Sequence, residues 1–329
     1  MKVIVYSTKS YERDYLNEAN QGKHELYFLP DMLTLETADK AKGYDGISCF
    51  IVDFVKEELM EKLAKLGIKF ITLRSAGFDY IDGEAAKKHK VVVSRVPKYA
   101  PEAIAEFAVG LILVLNRKIT KAYAQGLQHN FTLEGLLGFN LHKKTVGIIG
   151  TGNIGEAFSK VMAGFGCNIL ACDPVVNHSC EKLGVKYVEL NELFAKSDII
   201  SLHCPNTDQT RNIINEEAFG LMKKGVMLIN TARGGLVDTQ ALIQALESGK
   251  VGSAGLDVYT KEPGLFYRDF RDELINDKEF LKLLSFPNVL VTPHYAFLTE
   301  EAMENIAQTT IDNITAFEMG SPINQVYKN

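Results

Sequence analysis

The residues TVGIIGTGNIGEAF, 145–158, read as an apolar strand, a glycine-rich turn and the opening of a helix. The spacing G-x-G-x-x-G is common by itself. Here Gly150, Gly152 and Gly155 directly follow a strand and begin a helix, the context in which the motif binds a dinucleotide. Gly150 permits the tight turn. Gly152 lets the backbone approach a pyrophosphate, with Asn153 and Ile154 next in line. Gly155 allows the helix to pack closely on the strand, and the helix N-terminus attracts the phosphates. The next strand, CNILACD, ends in Asp173. An acid there accepts the ribose hydroxyls and repels a 2′-phosphate, so NAD is expected rather than NADP.

Downstream, short apolar segments alternate with helical ones: DIISLHC, VMLINTA, SAGLDVY and NVLVTPH, with stretches such as TQALIQALESGK between. Residues 260–286 read as a charged surface loop with short helical turns. TEEAMENIAQTTIDNITAFEMG reads as a long amphipathic helix, acidic at its start and stopped by Gly320. Upstream, VIVYS, ELYFL, GISCFIV, KFITLRS and VVVSRVP form another series. Between two of them, VKEELMEKLAKLG places Leu59, Leu63 and Leu66 on one helical face before Gly67. Such alternation implies parallel sheets with helices on both faces. Pro97 and Pro101 flank Lys98–Ala100 and mark a boundary. Beyond it, PEAIAEFAVGLILVLNR reads as a buried crossover helix.

The 329 residues suffice for two domains, and 46% hydrophobic with 23% charged residues is ordinary for a globular protein. A formal charge of -5 without basic blocks points away from nucleic acid and anionic membranes. The start, MKVIVYSTKSYERDYL, reads as a strand and a polar helix rather than a secretion signal. Cys49, Cys167, Cys172, Cys180 and Cys204 form no C-x-x-C pair, so reduced thiols in a cytoplasmic protein and no metal site are expected.

In open α/β sheets, ligands bind beyond the carboxyl ends of the strands. Those ends carry His203, Cys204 and Pro205, then Thr231, Ala232 and Arg233, then Asp257, and finally His294. A 2-oxo acid beside a nicotinamide needs a fork for its carboxylate, a proton for its carbonyl, and a carboxylate to orient the proton donor. Arg233 and His294 suit the first two roles. Glu262 suits the third, and from spacing alone reads equally as a solvated loop charge. His203 reads equally as a hydrogen-bonded histidine bordering the cleft.

GTGNIG, NTARGGLVD, GLDVYTKEP and TPHYAF together resemble the D-isomer-specific 2-hydroxyacid dehydrogenases, and the likeness runs nearly end to end. RSAGFDYID, PEAIAEFAVGLILVLNRKI, FTLEGLLGF and AFLTEEA resemble the branch acting on D-lactate. The resemblance implies a catalytic set of Arg233, Glu262 and His294. It implies cofactor contacts at Asn153, Ile154, Cys204, Pro205, Thr210, Thr231, Ala232, Arg233 and Asp257, the last holding the carboxamide. It implies substrate contacts at the Ala76 and Gly77 amides, at Tyr99, and at an apolar wall of Phe50 and Phe297. A Rossmann-type NAD domain, 100–297, would be inserted in a flavodoxin-like substrate domain, 1–99 and 298–329. The two connections would form a hinge that closes a cleft. Pyruvate and D-lactate are the expected substrates. A larger acid (2-oxoisocaproate, 2-oxoglutarate or phenylpyruvate) is the alternative, and an NAD-sensing regulatory protein is a rival of another class. A homodimer or homotetramer is expected, with the 101–117 helix as an interface element.

Overall fold

The computed structural model describes residues 1–327, which fall into two compact units: Met1–Ala100 with the segment from Leu298 onward, and Pro101–Phe297. In the first unit, strands β1 (Lys2–Val5), β2 (Glu25–Phe28), β3 (Gly46–Cys49), β4 (Phe70–Leu73) and β5 (Val92–Ser94) pair in parallel. Their order, β2-β1-β3-β4-β5, is that of flavodoxin-like sheets. Helices α1 (Ser10–Asn20), α2 (Glu57–Lys65) and α3 (Gly83–Lys88) connect them.

Alternation along the strands sorts the apolar residues of this unit. Ile4, Ile47 and Ile71 pack with Leu59 and Leu63 of α2 and Ala85 of α3. Val3, Phe70, Ile311 and Ile314 form a separate cluster. Successive strand side chains point to opposite faces, so one strand feeds two cores. Gly67, at φ +95°, ends the α2 segment as its position suggested.

The second unit opens with α4 (Pro101–Arg117) and α5 (Ile119–Leu127). It continues through β6 (Thr145–Ile149), α6 (Asn153–Gly164), β7 (Asn168–Cys172), α7 (His178–Lys182), β8 (Lys186–Tyr187), α8 (Leu190–Lys196) and β9 (Ile199–Leu202). Then follow α9 (Glu216–Leu221), β10 (Val226–Asn230), α10 (Thr239–Glu247), β11 (Val251–Leu256), α11 (Lys278–Ser285) and β12 (Val289–Val291). The chain then returns to the first unit in α12 (Glu300–Glu318). The seven-stranded sheet is parallel throughout, in the order β12-β11-β10-β9-β6-β7-β8. Counted from β6, this is the doubly wound Rossmann order with one further strand, and its reversal falls between β6 and β9. Ile148, Ile199 and Ile229 pack with α4 and α6, while Ile149, Ile200 and Leu228 pack with α8–α10.

Residues 260–286 depart from the expected surface loop. Asp277 caps α11 by accepting from the Phe280 N–H at 3.0 Å, and Tyr259 donates to the same carboxylate at 2.9 Å. Phe266, Phe280 and Leu283 are buried in the core. Charged neighbours hide this short apolar stripe from a reading by composition. Helix α4 is largely buried within its own unit. No helix among the described residues is long and apolar enough to cross a membrane.

Candidate active site

The β6–α6 turn is built around its glycines. Gly150 has φ +96°, and a Cβ there would lie 2.6 Å from the Cys204 nitrogen and 2.7 Å from the His203 carbonyl carbon. The exits of β6 and β9 therefore touch backbone to backbone. A Cβ on Gly155 would lie 2.0 Å from the Gly150 oxygen, whereas a Cβ on Gly152 would meet no protein atom within 4 Å. Gly152 caps α6 at φ −65° and ψ −164°, so it faces open space without needing glycine's conformational freedom. Asp173 accepts from the Thr151 N–H at 2.7 Å and the Val175 N–H at 2.8 Å, which ties the β7 exit to the glycine turn.

Three buried polar atoms without partners among the described residues cluster at the β9 and β10 exits: His203 Nδ1, Asn206 Oδ1 and Thr231 Oγ1. Orphaned groups of this kind are costly unless a ligand meets them. His203 pairs its Nε2 with Ser201 Oγ at 2.9 Å, and burial pushes its pKa down to about 3, so its ring is neutral near pH 7. Burial likewise pushes the Cys204 thiol up to about 11. Thr210 accepts from the Thr207 N–H at 2.8 Å and donates to the Pro205 carbonyl at 2.6 Å, so it shapes the loop after β9.

The β10 exit carries Thr231–Arg233. Asn230 brackets that turn, accepting from the Ala232 N–H at 3.1 Å and donating to the Arg233 carbonyl at 2.8 Å. The Arg233 guanidinium donates to the Ala232 carbonyl at 2.8 Å. At Gly234 a Cβ would lie 2.1 Å from the Tyr259 carbonyl carbon, so the Arg233 loop presses on the segment leading to Glu262.

The β12 exit carries His294 at φ +52°, a left-handed conformation. Asp257 shapes that turn. It is fully buried and accepts from the Thr292 hydroxyl at 2.6 Å, the Tyr295 N–H at 3.1 Å and the Ala296 N–H at 2.9 Å. Burial pushes the Asp257 carboxyl up, against those donors. A carboxylate has room for about four donors, and three are supplied here by the β12 exit. Tyr267 donates to the His294 carbonyl. His294 Nδ1 faces Glu262 at 3.2 and 3.3 Å, and both side chains are partly buried. Glu262 is thus half of a carboxylate–imidazole pair.

In the first unit, Ala76 and Gly77 occupy the turn after β4. The Ser75 carbonyl accepts from the Val96 N–H at 3.1 Å, Ala76 from the Arg95 guanidinium at 2.7 Å, and Gly77 from the Ser75 hydroxyl at 2.7 Å. Among the described residues, the Ala76 and Gly77 N–H groups donate to nothing, which leaves two successive backbone donors open to an anion. Phe50 is buried at the β3 exit, and the Tyr99 carbonyl accepts from Asn305 Nδ2 at 2.8 Å. Phe297 closes the second unit.

Sequence reasoning passed over Arg74, Glu12 and Asp53, all buried in the first unit. The one signal was an arginine ending the otherwise apolar KFITLRS. All five cysteines are free, and no group of three or more metal-ligating side chains occurs among the described residues.

The description "D-isomer specific 2-hydroxyacid dehydrogenase, NAD binding domain" matches residues 109–296. A 2-hydroxyacid dehydrogenase homolog of Haemophilus influenzae is 48% identical over 97% of each chain. The D-lactate dehydrogenase of Escherichia coli is 47% identical over 97% of this chain and 98% of its own. A solved structure described as the pyruvate reductase of Chlamydomonas reinhardtii superposes with a TM-score of 0.93 at 46% identity, covering 98% of both chains. With the glycine turn, the Glu262–His294 pair and Arg233 along one edge of a doubly wound sheet, this chain belongs to the NAD-binding D-isomer-specific 2-hydroxyacid dehydrogenases.

Proposed function

We propose that the protein is a D-lactate dehydrogenase, reducing pyruvate with NADH and running reversibly. The Glu262–His294 pair, on the same sheet edge as Arg233 and the glycine turn, carries this reading. Because Nδ1 faces Glu262, Nε2 is left to give a proton to the substrate carbonyl and to take one from D-lactate in reverse. Glu262 holds the ring through Nδ1 and so fixes its orientation. Arg233 binds the carboxylate through its planar fork.

NAD suits the residues present. The open space at Gly152, the amides of Asn153 and Ile154, and the orphaned Thr231 and His203 atoms support a dinucleotide running along this edge. The remaining contacts fall to Asp173 at the ribose, Cys204, Pro205 and Thr210 at the adenosine side, and Ala232 and Asp257 at the nicotinamide. Bound there, the nicotinamide supplies or accepts the hydride at the substrate's C2. The Ala76 and Gly77 amides are assigned to the substrate carboxylate, and Phe50, Tyr99 and Phe297 to the wall around its methyl group.

We further infer a homo-oligomer in the cytoplasm. Tyr123, Leu127, Phe131, Leu133 and Leu137 are all exposed within or after α5. Large apolar side chains gathered in one exposed stretch of a chain mark interaction sites more often than free surface. Their occupant in this reading is a second copy of the chain, which light scattering would weigh directly. The five free thiols suit a reducing compartment.

The test is oxidation of NADH, with NADPH in parallel, against pyruvate, 2-oxoisocaproate, 2-oxoglutarate and phenylpyruvate, followed by chiral analysis. Pyruvate with NADH is expected to give the highest kcat/KM, and the product D-lactate. L-lactate, or no turnover with any of the acids, refutes the proposal.

A further inference from the structure

The first unit holds a buried charged cluster that the chemistry above leaves unused. Arg74, directly after β4, and Glu12 of α1 are each 2% exposed. Arg74 Nε donates to Glu12 at 2.9 Å, Nη2 to the Tyr6 carbonyl at 2.9 Å, and Nη1 to the Ser48 hydroxyl at 3.1 Å. Asp53, also buried, accepts from the Phe50 N–H at 2.7 Å, the Leu33 N–H at 2.8 Å and the Ser7 hydroxyl at 2.7 Å. The Arg74 guanidinium carbon lies 5.6 Å from the centre of the Phe50 ring.

Stability is a weak reason for such a cluster, because well-packed apolar residues often serve as well as a buried ion network. Its place is more telling. β1, β3 and β4 are neighbours, and the cluster joins their carboxyl ends at Tyr6, Ser48–Phe50 and Arg74. Ligands of open α/β sheets bind beyond that edge. Arg74 immediately precedes the Ser75–Gly77 turn and is anchored by its own N–H to the Cys49 carbonyl at 3.0 Å. The side chain thus ties the residue at the base of the amide turn to β1, β3 and α1, and its guanidinium lies against the ring at position 50.

We propose that Arg74, held by Glu12 with Asp53 beside it, is a positioning residue for the substrate. It sets the aim of the Ala76 and Gly77 amides and the place of the Phe50 ring, and so governs both carboxylate affinity and preference for a short side chain. This rests on the D-lactate dehydrogenase reading for what the turn and the ring touch.

The experiment titrates oxamate, an unreactive pyruvate analogue, into NADH-saturated protein, and measures kcat and KM for pyruvate and 2-oxoisocaproate. Glu12→Gln and Asp53→Asn keep shape while removing charge; Arg74→Lys keeps charge and removes the fork. In the variants, oxamate affinity is expected to fall by roughly tenfold to a hundredfold, as small misplacements of binding groups do. The pyruvate KM should rise in step while NADH affinity holds, and the preference for pyruvate over 2-oxoisocaproate should narrow. Folded variants that bind oxamate like the wild type, with only a lower Tm, overturn the assignment. So does failure of all three to fold, since that leaves a role in stability alone. A wild type that binds NADH but not oxamate overturns the functional reading itself, and this assignment with it.

Discussion

Gly152→Ala separates a glycine needed by the fold from one needed by a ligand. A Cβ at Gly152 meets no protein atom within 4 Å, and the backbone there already has a negative φ. Alanine is a poorer helix N-cap than glycine by about 0.5–1 kcal/mol. Reduced entropy of the unfolded chain offsets this by about 0.4–1 kcal/mol. The net effect on stability is near zero, and Tm should move by no more than about 2–4 °C. In the proposed binding mode a pyrophosphate on this turn would meet the added methyl. Drawing back to clear it breaks hydrogen bonds from the turn's amides, each worth about 1.5–3 kcal/mol to a charged group. Loss of two costs at least about 3 kcal/mol, or roughly 150-fold in affinity at 1.4 kcal/mol per decade. Fluorescence titration of NADH and a thermal melt measure both quantities on one preparation. Gly155→Ala is the contrast, because its Cβ would lie 2.0 Å from the Gly150 oxygen. It should lower Tm before any ligand is added. The reasoning fails if Gly152→Ala binds NADH within about threefold of wild type, or if it unfolds as Gly155→Ala does.

Arg233→Gln should lower kcat/KM for pyruvate by about a hundredfold or more, since a charged bidentate fork becomes a single neutral contact. NADH affinity should change little, and an equal collapse would refute the assigned role. Asp198 is held below its ordinary value of 3.8: burial opposes this, but Lys223 at 2.9 Å and the Thr145 N–H at 2.9 Å outweigh it. A lowered folded-state pKa stabilises above the unfolded value, and the gain disappears as pH falls through the folded value. Asp198→Asn should therefore be less stable than wild type near pH 7, with the gap closing below pH 3.8. Urea unfolding at neutral and acid pH checks this, and a gap independent of pH would contradict it.

Much of the active unit was legible in the chain because its signals are local. A glycine turn between strand and helix depends on neighbouring residues, and so does the alternation that sends Ile148 to one face and Ile149 to the other. Residues at strand ends must share an edge in a parallel sheet, so Arg233, Asp257 and His294 could be grouped before any coordinates. Glu262 could not be assigned this way, because spacing alone does not tell a solvated loop charge from a partner 32 residues distant.

The sequence by itself determined the α/β class, the inserted glycine-rich unit, the expectation of NAD over NADP, and a short candidate set for the chemistry. Only the tertiary structure decided which side chains meet. It set Glu262 against His294, gave Asp257 to the His294 turn, and turned Glu12 from an outwardly polar helix to Arg74, 62 residues away. It also made 278–285 a helix whose apolar stripe joins the core. Local patterns encode which face is buried, since burial depends on period. They do not encode partners, since a partner is set by strand order and by which exits lie side by side.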